Sequence, residues 1–112
     1  MPRSASNGYV SEATFQADVV EQLILLGWEV QETLKGSRGN STVYCTPGWP
    51  DLVIYRQDGA RRLWFAELKQ PGNKPDDTQL ACHARLRAAG FTVVVAWTLE
   101  ALLVTEAQEG LR

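Results

Sequence analysis

Residues 61–71 read "RRLWFAELKQP". From Leu63 to Leu68 an extended chain would be apolar on both sides. Trp64, Ala66 and Leu68 take one face, and Leu63 and Phe65 the other. A strand covered on both faces belongs inside a sheet, with helices above and below it. The second face then continues into Glu67 and Lys69. Opposite charges at the end of a buried strand cost free energy unless something uses them.

The flanking sequence sets the topology. Upstream, Asp58-Gly59 is a strong hairpin signal. The run "DLVIY" (51–55) should therefore pair antiparallel with the strand at 62–69. Downstream, "QPGNKP" is a turn, and Asp76 opens a helix with Gln79 at the spacing of a capping box. That helix runs to Ala89 and stops at Gly90. "FTVVVAW" (91–97) reads as a buried strand, and "TLEALLVTEAQ" as a closing helix capped by Thr98. Towards the N-terminus, Ser11 caps a helix in which Phe15, Val19, Leu23 and Leu26 fall at helical spacing. Gly27 ends it, a short strand runs from Trp28 to about Thr33, and 35–42 is a loop by composition. The fold class is α/β, with an αβββαβ core and a mixed four-stranded sheet flanked by helices. Three strands form a meander, and the fourth joins in parallel through a right-handed crossover.

The chain has 112 residues, 45% of them hydrophobic, which suits one domain with a real core. Residues 1–10 read as a flexible tail and 11–112 as a single domain. No apolar run approaches the ~20 residues of a membrane span, and no secretory signal pattern is present. A cytoplasmic protein with no membrane partner is expected. Cys45 and Cys82 form no CxxC pair and read as reduced thiols, Cys82 on a helix face toward the core. With His83 they offer too few ligands for structural zinc. The net charge of −2 does not advertise nucleic-acid binding. A basic side and an acidic side are possible, with scattered solvated charges as the default.

The topology gathers chemistry at one edge of the sheet. Asp51 starts one strand, and Glu67 and Lys69 end its antiparallel neighbour. Two adjacent carboxylates repel unless a cation lies between them. Oxygen ligands without clustered histidine or thiolate favour Mg²⁺ or Mn²⁺. A metal-bound water loses its proton more easily, and Lys69 can orient that water. These are the parts of a metal-assisted phosphodiester hydrolase that needs no organic cofactor. Plainer readings stand beside this one. Asp51 suits an Asx-turn, Glu67 and Lys69 a same-face ion pair of little worth, and Gln79 a capping box alone. Glu12 is a favourable charge at a helix N-terminus, with Gln16 one turn further on. His83 reads as a partly buried, hydrogen-bonded histidine.

The pair "PD" at 50–51, followed by "ELK" at 67–69, resembles the PD-(D/E)XK nucleases with their restriction-endonuclease-like core. "GWPDLVIY", "FAELKQPGNKPDDTQ" and "RLRAAGFTVVVAW" look like the VRR-NUC family, particularly its small stand-alone phage and bacterial members. The similarity covers about residues 11–104. The resemblance implies catalytic roles for Asp51, Glu67, Lys69 and Gln79. Its metal ligands would be Asp51, Glu67, the Leu68 carbonyl and Glu12, the last through water. His83 departs from the pattern, standing where a large apolar residue is common.

The function expected is a Mg²⁺- or Mn²⁺-dependent, structure-specific DNA endonuclease in a bacterial or phage-infected cell. It would act as a homodimer on branched DNA such as Holliday junctions. Lys35, Arg38 and Lys74 are candidate phosphate contacts, and Trp49 could stack on a base. No helix carries the run of Arg, Asn and Gln that reads sequence. The alternatives are a catalytically silent DNA-binding module with the same fold, or another PD-(D/E)XK nuclease of resolvase or restriction type.

Overall fold

The computed structural model describes residues 6–34 and 46–112. Its elements run α1 (Glu12–Leu25), β1 (Glu29–Glu32), β2 (Leu52–Tyr55), β3 (Leu63–Leu68), α2 (Asp77–Ala88), β4 (Thr92–Ala96) and α3 (Leu99–Gly110). The sheet order is β1-β2-β3-β4. β1 and β3 both pair antiparallel with β2, and β4 lies parallel to β3. This is the α/β architecture that the sequence predicts, with every expected element present.

One face of the sheet carries the apolar core. Leu52, Ile54, Trp64, Ala66, Leu68 and Ala96 meet Phe15, Val19 and Leu23 of α1 and Leu102 of α3, all fully buried. Each of the Leu, Ile, Val and Phe side chains contributes roughly 1.5–3 kcal/mol by leaving water. Trp28 closes the cluster edge-on to Trp64, with ring centroids 5.7 Å apart. The guanidinium of Arg56 lies 4.0 Å over the Trp28 ring and donates to the Leu26 carbonyl at 2.7 Å. One basic side chain is thus committed to structure.

The opposite face is built differently. Phe65 meets the rings of Trp49 and Phe91 edge-on, and α2 lies nearer the acidic end of β3. The residues α2 buries are Cys82 and His83, the thiol being free as expected. Leu80 of the same helix is 49% exposed. A helix that turns polar groups inward departs from ordinary amphipathic patterning, and such departures concentrate at functional sites.

The helix starts follow the cap signals. Ser11 and Thr14 form a reciprocal box at α1, Asp76 and Gln79 another at α2, and Thr98 caps α3. The β2–β3 connection is wider than a two-residue hairpin. Arg56 N–H bonds the Arg62 carbonyl, Asp58 accepts from Ala60 N–H at 3.0 Å, and both Gly59 and Arg61 have positive φ. Of the N-terminal residues expected as a tail, 6–10 are described. Asn7 donates to Gln70 and to the Trp97 carbonyl, and Gln70 donates to the Tyr9 carbonyl. Among the described residues no helix is long and apolar enough to cross a membrane.

Candidate active site

Leu52 of β2 faces Ala66 of β3, so Asp51, one residue earlier, comes level with the end of β3. Its Oδ2 accepts the Leu68 N–H at 2.7 Å. Its backbone carbonyl accepts the Thr33 N–H at 2.8 Å. Asp51 therefore ties the ends of β1, β2 and β3 together, and it is only 3% exposed. Pro50, which has no N–H to satisfy, is buried just before it, and its carbonyl accepts the Thr33 hydroxyl.

Glu67 is 1% exposed. Lys69 reaches its Oε2 at 3.8 Å, and Gln79 donates Nε2–H to the same oxygen at 3.1 Å. Gln79 also accepts the Asp76 N–H at 2.9 Å through its own carbonyl oxygen. The capping box is present, and it fixes the side chain whose amide reaches Glu67. From the next turn, His83 brings Nε2 to 3.5 Å from Glu67 Oε1.

Gly48 sets how closely the Pro-Asp turn approaches α2. Its φ is +82°, and an added Cβ would lie 2.4 Å from the Thr78 carbonyl oxygen and 2.9 Å from Gln79 Cα. Only glycine lets this turn seat on the first turn of the helix.

The expected hydrogen-bonded, partly buried His83 needs correction. The ring is fully buried, and among the described residues neither nitrogen has a hydrogen-bond partner. Burial, then the nearby Arg87 charge, hold the imidazole below its usual pKa, against a smaller opposing pull from Asp51. It is held neutral because its surroundings are dry and already contain cations.

On the other side of Asp51 opens a cleft of about 530 Å³, lined by Glu12, Gln16, Val20, Glu32, Thr33 and Asp51 among others. Glu12 thus faces the same space as Asp51. Gln16 donates to Glu32 at 2.9 Å. Glu32 was not singled out from sequence. Only the β1–β2 register, Glu32 opposite Leu52, brings it beside the Pro-Asp turn. Among the described residues no three His, Cys, Asp or Glu side chains converge tightly enough to cage an ion. Two carboxylates, a backbone carbonyl and water are instead the kind of donor set Mg²⁺ takes.

The proposed nucleic-acid contacts are less concentrated. Lys74 is exposed on the loop before α2. Trp49 is half-buried with its ring 5.4 Å from that of Phe65, so it helps build the turn. Lys35 and Arg38 lie outside the described residues, as does Cys45.

No family model matches the chain. A solved structure described as "VRR_NUC domain" superposes with a TM-score of 0.64 at 29% identity, covering 85% of this chain and 94% of that one. The fold is that of a VRR_NUC domain, as the sequence resemblance implied. Among curated proteins, the chain is 44% identical over 48 residues to "Putative nuclease p44" of Acyrthosiphon pisum secondary endosymbiont phage 1. That match spans 43% of this chain and about half the length of the phage protein.

Proposed function

We propose that this chain is a metal-dependent DNA endonuclease that hydrolyses phosphodiester bonds, with Mg²⁺ or Mn²⁺ as cofactor. One observation carries the reading: two buried carboxylates, Asp51 and Glu67, end adjacent strands, with Lys69 Nζ 3.8 Å from the second. Asp51, Glu67 and the Leu68 carbonyl would hold the ion, with Glu12 reaching it through water across the cleft. When bound, the ion supplies Lewis-acid polarisation of the phosphate and a more acidic water.

The protein's own groups do the rest. The Leu68 N–H fixes Asp51, and Gln79 and Lys69 fix Glu67, so neither acid must reorganise as substrate arrives. The Lys69 ammonium, tethered by Glu67, orients the attacking water and balances the growing phosphate charge. Water adds to phosphorus, the bond to the leaving oxygen breaks, the attacking water's proton passes to solvent, and the leaving oxygen takes a proton from solvent to become a hydroxyl.

Branched DNA is the proposed substrate and a homodimer the proposed assembly. Support comes from the VRR-NUC likeness and from the lack of a sequence-reading helix among the described residues. A two-fold pair of sites also suits paired cuts across a junction. The test is a labelled panel of four-way junction, flap, nicked duplex, plain duplex and single strand. It is run with Mg²⁺, Mn²⁺ or EDTA, beside Asp51→Ala and Lys69→Ala. Metal-dependent cutting of the junction, lost in both variants, is expected. DNA binding without cutting under any metal would turn the assignment to a silent binding module.

A further inference from the structure

His83 sits where a leucine would fill the space and leave no polar atom dry. Its ring is wholly buried, and both nitrogens lack a hydrogen-bond partner among the described residues. Such a side chain is unfavourable in a core unless it does something an apolar one could not. The nearest polar group names the task, because Nε2 stands 3.5 Å from Glu67 Oε1. A few tenths of an ångström of closure would make that a hydrogen bond.

We propose that His83 is a positioning residue for Glu67, its imidazole directing an Nε2–H at Oε1. The inference rests on the reading of Glu67 as an ion ligand. Gln79 and Lys69 address Oε2, and His83 addresses the other oxygen. The terminal torsion of a glutamate is broad and roughly two-fold, so grip on one oxygen leaves the carboxylate plane free to turn. Grip on both sets the plane before the ion arrives. Gln79 and His83 are one helical turn apart and share a face of α2, so one rigid element orients the carboxylate.

Ligand orientation by an outer-shell partner is a general feature of metal sites, and its loss weakens binding by about 10–100-fold.

The chain has a single histidine, so long-range ¹H–¹⁵N NMR of the imidazole reads His83 alone. The Nε2–H tautomer is expected, with an Nε2 signal that moves in Glu67→Gln. An Nδ1–H tautomer, or an Nε2 signal indifferent to Glu67, would overturn the proposal. The second arm measures Mn²⁺ affinity by calorimetry. His83→Leu should bind about tenfold more weakly while melting at or above the wild-type temperature. His83→Gln, whose amide can reach the place of Nε2, should recover most of the affinity. Unchanged affinity in His83→Leu contradicts the role. If the wild type binds no Mn²⁺, the ion-ligand reading of Glu67 fails. The tautomer then decides separately whether His83 orients the carboxylate.

Discussion

Asp51 holds the end of β3 through one carboxylate that is also the proposed ion ligand, and two substitutions separate the roles. Asp51→Ala leaves the Leu68 N–H, now bonded at 2.7 Å, without an acceptor in a buried position. That change should lower stability by about 1–3 kcal/mol and abolish cleavage. Asp51→Asn keeps an acceptor oxygen, so it should unfold near the wild-type temperature and still fail to cut. Thermal melts beside a cleavage assay separate the two. Tyr9 offers a pH test away from the site. Its hydroxyl donates to Asp18, and that bond, more than burial, pushes its pKa from 10.0 up to about 12. A folded-state pKa raised in this way contributes stability in full below pH 10, and the contribution fades as pH climbs toward 12. Phenolate absorbance should show one of the three tyrosines ionising last, and Tyr9→Phe should remove that step. Loss of an earlier step instead would refute the assignment. At this scale Asp51, Glu67 and Lys69 were legible because strand alternation and the antiparallel turn fix them. Glu32 was not, since its neighbours depend on a register that a short polar strand does not announce.

Between elements, the decisive contact is the seat of the Pro-Asp turn on α2. Gly48→Ala sets a Cβ against backbone atoms of Thr78 and Gln79, in a backbone conformation that L side chains avoid. We expect a loss of about 1–3 kcal/mol. Cleavage should fall more steeply than folding, because the displaced helix carries Gln79 and His83 away from Glu67. Equal activity at reduced stability would show that the seat is only structural. Element boundaries followed from caps and stops: Ser11, Asp76 and Thr98 open the three helices, as their side-chain chemistry predicts. The inward face of α2 was harder to read. Its 3.6-residue period brings Gln79 and His83 to the sheet beside Cys82, two polar groups that hydrophobic patterning alone would assign to solvent.

Across the whole molecule, the sheet divides the labour. One face buries the apolar core between α1, α3 and the strands, and the other brings α2 to the acidic strand ends. With a net charge of −2, any DNA binding should be weak and rest on a few local phosphate contacts, with a correspondingly small salt slope. If the proposed homodimer forms, sedimentation should give twice the 12.4 kDa chain mass. A purely monomeric species at cutting concentrations would exclude paired cleavage by a preassembled dimer. The αβββαβ order and the mixed sheet could be read from local signals, because each strand's partner is fixed by a turn or a crossover. Assembly could not, since a surface for a second copy leaves no periodic mark. The central claim is that Asp51, Glu67 and Lys69 form a metal-dependent phosphodiesterase centre. Its most direct test is cleavage of an end-labelled four-way junction by wild type, Glu67→Gln and Lys69→Ala as Mg²⁺ is titrated from EDTA-treated protein. The account predicts cutting by the wild type that rises with Mg²⁺ and is absent in both variants. Cutting in EDTA, or undiminished cutting by either variant, would contradict it.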